Sequence, residues 1–198
     1  MGGTKGPESR KQEVIRTFIC IEIPESIKAK IDQLQDSLRK TVAPISWTKP
    51  ANVHLTLKFL GAVPASRIER VGEAVERAAR DLKPFQVDIA GTGCFPSIRN
   101  PRVLWVGFAS VSDELKQLYN NIEDQLERQG FPREKRKFSP HLTIGRVRAP
   151  HKPNTIGEEL VAHGFEPESF EAAEVIVMRS DLKPTGSIYT PQAVITLG

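Results

Sequence analysis

Two stretches of this chain read almost alike: residues 54–57 are His-Leu-Thr-Leu, and residues 141–144 are His-Leu-Thr-Ile. Each follows a turn-forming run, one holding Pro50 and Asn52, the other Ser139 and Pro140. In a strand, side chains at i and i+2 share a face. His54 and Thr56 therefore point one way, and Leu55, Leu57 and Phe59 the other. His141 and Thr143 stand in the same relation to Leu142 and Ile144. The leucine faces suit a packed core, whereas a histidine–threonine face is a poor core surface because buried polar groups without partners are costly. The chain must therefore build two strands that each turn a polar pair away from the core.

The rest of the pattern places these strands in a mixed fold. Arg16 to Ile23 reads as a strand stopped by Pro24, and Ile27, Ile31, Leu34 and Leu38 then recur at helical spacing. Val71, Ala74, Val75 and Ala78 mark a second helix, and Leu115, Leu118, Ile122 and Leu126 a third. Phe85 to Ile89 and Arg102 to Phe108 read as strands, with Gly91, Gly93, Pro96, Asn100 and Pro101 making a long turn region between them. A short helical stretch near 155–163 and strands at Glu174 to Met178 and Ile188 to Leu197 close the chain. The order is not a regular βαβ alternation and predicts an α+β fold with mostly antiparallel pairing.

A chain of 198 residues fits one domain or two small lobes sharing a core. The polar start, MGGTKGPESRKQE, has no apolar segment of a secretory signal, so residues 1–14 read as a disordered tail and 15–198 as a single domain. No apolar run spans a bilayer. Cys20 lies in an apolar run far from Cys94, which points to reduced thiols and a cytoplasmic setting. The net charge of +4 is modest, but Arg133, Lys135, Arg136, Lys137, Arg146 and Arg148 crowd one region against Glu134. That region is a solvated basic loop or a phosphate-attracting surface beside a site.

The paired motifs favour the second reading. Histidine, with a pKa near 6.5, gives and takes protons near neutrality, so two can hold opposite protonation states. Threonine adds a hydroxyl that can hold a phosphate oxygen. The remaining histidines, His151 and His163, form no metal-ligand spacing, and no glycine-rich phosphate loop is present, so neither metal nor cofactor is expected. Strict alternation would send Arg146 into the core. Gly145 before it is open to two readings: the strand simply ends there, or a bulge returns the guanidinium to the His-Thr face, where its fork suits a phosphate. Lys58 is open to two readings, a phosphate contact or a solvated strand end. Phe138 is likewise open, to stacking on a base or plugging the core.

At these residues the sequence resembles the two-histidine (2H) phosphoesterase superfamily. Within it, the chain is most similar to the RNA 2′,3′-cyclic phosphodiesterases first named 2′-5′ RNA ligases. The likeness extends to Arg16-Thr17-Phe18-Ile19-Cys20-Ile21, Pro101-Arg102-Val103-Leu104-Trp105-Val106-Gly107 and Met178-Arg179-Ser180-Asp181-Leu182. The resemblance implies two pseudo-symmetric lobes, each an antiparallel sheet backed by helices, with the motifs facing across an active-site cleft. His54 would be the proton donor to the leaving 3′-oxygen and His141 the proton acceptor from water. Thr56, Thr143 and Arg146 would hold the phosphate, with Lys58 and Phe138 as further candidates. The expected substrate is an RNA or oligonucleotide ending in a 2′,3′-cyclic phosphate, a transfer RNA half being one example. It would be opened to a 2′-phosphomonoester without a metal, by a monomer. Two alternatives remain: the reverse, 2′-5′ ligation, and a non-catalytic module that grips RNA ends.

Overall fold

The structure, a computed structural model, describes residues 13–40, 43–148, 155–184 and 186–198. Strands β1 (Val14–Glu22), β2 (Ile45–Trp47), β3 (His54–Pro64), β4 (Phe85–Ser97), β5 (Asn100–Phe108), β6 (Leu142–Val147), β7 (Glu168–Ala172), β8 (Glu174–Lys183) and β9 (Gly186–Thr196) form one curled antiparallel sheet. Helices α1 (Glu25–Leu38), α2 (Ile68–Ala79), α3 (Asp113–Arg128) and α4 (Ile156–His163) back it. The strand order β7-β4-β5-β6-β3-β1-β8-β9, with β2 on β6, divides between β6 and β3 into two lobes. This is the α+β two-lobed architecture expected. Most of the predicted tail lies outside the described residues; Val14, from its end, opens β1.

The apolar faces read from the sequence meet beneath the sheet. Ile27, Ile31, Leu34 and Leu38 of α1, Val71 and Val75 of α2, and Leu115, Leu118, Ile122 and Leu126 of α3 share one core with Leu55, Leu104 and Leu142. Ser112 caps α3 by accepting the Leu115 N–H, satisfying one of the helix's free amides.

Three expectations change. The long turn region is instead a hairpin, because β4 continues to Ser97 and β5 resumes at Asn100. Its glycines serve the strand: a Cβ on Gly93 would come within 2.3 Å of the Trp105 ring, and Gly91 takes φ +70° where the β4–β5 register slips. Lys58 neither faces Thr56's side nor sits in solvent. Ile19 pairs with Lys58 and Cys20 with Thr56, so Leu57 is an extra residue that reverses the alternation. Lys58 therefore turns inward, where its Nζ meets Glu123 Oε1 at 2.6 Å and the Pro132 carbonyl at 2.9 Å. The same slip moves Phe59 from the expected core face to the opposite one, where it is 63% exposed beside Phe18.

A buried ion pair stripped of one member leaves a bare charge. Lys58→Met should destabilise the protein by about 3–5 kcal/mol in urea unfolding, and Lys58→Met/Glu123→Leu should regain much of that loss. A neutral Lys58→Met would show that the pair is not buried in solution.

Candidate active site

Strands β3 and β6 meet at their first residues and run away from each other. Among the described residues a single pair, Leu55 opposite Leu142, joins them. Carried one step each way, this register sets His54 across from Thr143 and Thr56 across from His141. The two histidines become diagonal neighbours on one face, with Cα atoms about 7–8 Å apart. Leu55 and Leu142 are fully buried on the helix side, so all four His-Thr side chains, each half-buried, share the opposite face.

Each ring is fixed in the same way. His54 Nδ1 lies 2.8 Å from the Asn52 carbonyl, and His141 Nδ1 lies 2.8 Å from the Ser139 carbonyl. A carbonyl only accepts, so both Nδ1 atoms carry hydrogen, leaving Nε2 as the group available for proton transfer. Asn52 is itself anchored, its side-chain amide donating to the Ser187 carbonyl of β9 at 2.8 Å.

The surroundings of the two rings differ. Phe18 stacks on His54 with centroids 4.7 Å apart, and Tyr189 meets it edge-on at 5.3 Å. His141 has Phe95 edge-on at 4.9 Å, and Phe95 leans on Trp105. Burial pushes the His54 pKa down to about 4, against the Asn52 hydrogen bond, and the Lys28 charge adds to the fall. The His141 pKa is also lowered, by burial first and by the charge of Arg146, with the Ser139 bond opposing. Both rings are therefore neutral at pH 7 in the free protein.

Arg146 stands where the bulge argument put it. Trp105 pairs with Thr143 and Leu104 with Gly145, so Ile144 is the extra residue, and Arg146 emerges exposed on the His141 side. Among the described residues it has no carboxylate partner. Phe138 does not offer its ring to the cleft; it stacks on Tyr119 of α3 at 4.1 Å and packs against the helix-side core, as a plug does. Phe18, Phe95 and Tyr189 carry no mark in the sequence that separates them from core aromatics. Among the described residues no three His, Cys, Asp or Glu side chains converge as metal ligands do.

Comparison with known proteins matches the LigT-like phosphoesterase model twice, over residues 21–105 and 106–189, one copy around each motif. The chain belongs to that family. An RNA 2′,3′-cyclic phosphodiesterase of Methanothermobacter thermautotrophicus is 32% identical over 92% of this chain and 99% of its own. One from Thermotoga maritima is 35% identical over 88% and 91%. Among solved structures, Escherichia coli LigT complexed with 3′-AMP superposes with a TM-score of 0.74 at 26% identity, over 93% of this chain and 99% of that one. A Thermus thermophilus structure reaches a TM-score of 0.77 at 25% identity, over 92% and 98%.

The enclosure of His54 is measurable. Its ring should stay neutral on NMR titration until about pH 4, and Phe18→Ala should move the midpoint back toward 6.5. Because the unfolded ring takes its proton at the higher pH, stability should be full above pH 6.5 and fall as pH drops toward 4. His54→Gln should remove that share of the acid sensitivity, which urea unfolding across this range would register.

Proposed function

We propose that this protein hydrolyses RNA 2′,3′-cyclic phosphate ends to 2′-phosphomonoesters by acid–base catalysis between His54 and His141. The observation that carries the reading is the diagonal pair of half-buried rings, each held at Nδ1 by a backbone carbonyl. Relatives named RNA 2′,3′-cyclic phosphodiesterases support the substrate class.

His141 Nε2 takes a proton from water as the water oxygen bonds to phosphorus. The bond from phosphorus to the 3′-oxygen breaks, and His54 Nε2–H delivers the proton that this oxygen needs. The hydroxyls of Thr56 and Thr143 and the Arg146 guanidinium bind the non-bridging oxygens, where charge builds. Both proton transfers fall to the rings, so a metal has no step to perform. His54 as donor needs help, since the free ring is neutral at pH 7. The phosphate anion supplies it, because an opposite charge alongside favours the imidazolium.

A transfer RNA half is one oligonucleotide that ends in this group, and joining ends through a 2′-5′ linkage would use the same side chains in reverse. We read the protein as a monomer working in the cytoplasm, where its two buried, unpaired cysteines stay reduced. Among the described residues, no helix is long and apolar enough to cross a membrane.

Replacing either histidine by alanine should lower kcat on a cyclic-phosphate dinucleotide by about 10²–10⁴-fold. Arg146→Ala should cost about 2–4 kcal/mol of transition-state stabilisation. The wild-type kcat/KM should be bell-shaped with pH, with its limbs set by the free-protein rings. Its maximum should lie between about 4 and 6.5, falling above that range as both rings become neutral and the acid is lost. The kcat profile should move to higher pH, because bound phosphate raises both pKa values. Without His54 the basic limb should flatten, and without His141 the acidic one. If the limbs exchange, the two roles are reversed. If both variants keep the full bell, the histidines do not carry the protons.

A further inference from the structure

Gln35 lies on the apolar face of α1 between Leu34 and Leu38 and is wholly buried. Its Nε2 donates two hydrogen bonds of 2.8 Å, to the carbonyls of Thr48 and Ile144. The Thr48 N–H also donates to the Ile144 carbonyl, at 3.0 Å. Two acceptors on one side fix which end of the amide is nitrogen. The other end, Oε1, is buried and has no hydrogen-bond partner among the described residues.

A half-satisfied amide in an apolar core is costly. What offsets that cost is the pair of carbonyls its two donors hold, which a leucine would leave without this partner. Ile144 is the bulge residue of β6, whose backbone falls outside the ladder and needs partners from elsewhere. The bulge puts Arg146 on the cleft face instead of among the helices. Thr48, the other partner, leads into Pro50–Asn52, whose last carbonyl holds His54 Nδ1.

The other lobe repeats the device. Glu123 on α3 accepts the Glu134 N–H at 2.9 Å on the segment entering His141, and holds Lys58, next to the extra residue of β3. In both lobes a buried polar side chain on the helix preceding one motif bonds the strand of the other, Gln35 at the extra residue itself and Glu123 at the side chain beside it.

We propose that Gln35 is a positioning residue for the phosphoesterase reaction: by bonding the Ile144 and Thr48 carbonyls together it sets where Arg146 stands relative to the two histidines. This rests on the reading of Arg146 as the phosphate contact, and two readouts keep the claims apart.

The first is a double-mutant cycle. Gln35→Met keeps the volume and removes both donors. It should lower kcat/KM on a 2′,3′-cyclic-phosphate dinucleotide on the order of 10–100-fold, the scale of a displaced catalytic group. In an Arg146→Ala background it should add less than about twofold. The second readout needs no activity. Arg146 is the charged side chain that lowers the His141 pKa, so Arg146→Ala should raise that ring's titration midpoint in NMR. Gln35→Met should raise it likewise, and the double variant no further. Equal losses in both backgrounds would overturn the proposal, as would wild-type His141 titration in Gln35→Met. Should Arg146→Ala keep full activity, the phosphate contact is what fails, and the titration alone decides for Gln35. If the Met variant does not fold, Gln35→Asn, one methylene shorter with its donors kept, should move both readouts in the same direction. A folded Asn variant with neither readout changed would also overturn the proposal.

Discussion

One cross-strand contact, Leu55 against Leu142, governs where everything in the cleft stands. Both side chains are fully buried, so slipping either strand by one residue would drive a histidine into the core and a leucine into water. That penalty locks the register at the point where the lobes join. Because the strands start side by side and diverge, the seam is short, and the residues flanking it are the two His-Thr pairs. The polar face is thus held by the apolar one, and the spacing of the imidazoles follows from packing behind them.

Beyond the seam, the direction in which side chains point is decided by extra residues in the strands. Leu57 in β3 turns Lys58 inward and Phe59 outward; Ile144 in β6 turns Arg146 outward. Each irregularity frees backbone or charged groups that need partners in a buried setting, and α1 and α3 supply them through Gln35 and Glu123. Hydrophobic burial gives the fold its stability, while these few polar contacts select which of two faces a functional side chain occupies. Enclosure then separates the two rings chemically, since stacking on Phe18 and Tyr189 strips more water from His54 than Phe95 strips from His141.

Much of this was legible in the sequence. The helix faces were plain from their spacing, and the His-x-Thr repeat announced two strands with one polar face each. The bulge before Arg146 could be read because Gly145 stands where a side chain would press on Ile45 and Trp47, its Cβ within 3.0 Å of Ile45. The bulge at Leu57 carries no such mark, as leucine sits equally well in a regular strand, so plain alternation puts Phe59 on the core face and gives no hint that Lys58 turns inward. The β4–β5 hairpin was hidden by glycines and a proline that usually end strands but here admit the Trp105 ring and a register slip. The aromatic neighbours of the histidines come from β1, β4 and β9, and only the paired sheet brings them together.

The central claim is that water, activated by one ring, opens the cyclic phosphate toward the 2′-phosphate. It is tested most directly by turning over an oligonucleotide with a 2′,3′-cyclic phosphate end in ¹⁸O-labelled water with chelator present, reading the product by mass spectrometry and ³¹P NMR. The account predicts a 2′-phosphomonoester carrying one labelled oxygen, formed at a rate the chelator does not change. A 3′-phosphate product, or turnover that stops with chelator, would contradict it.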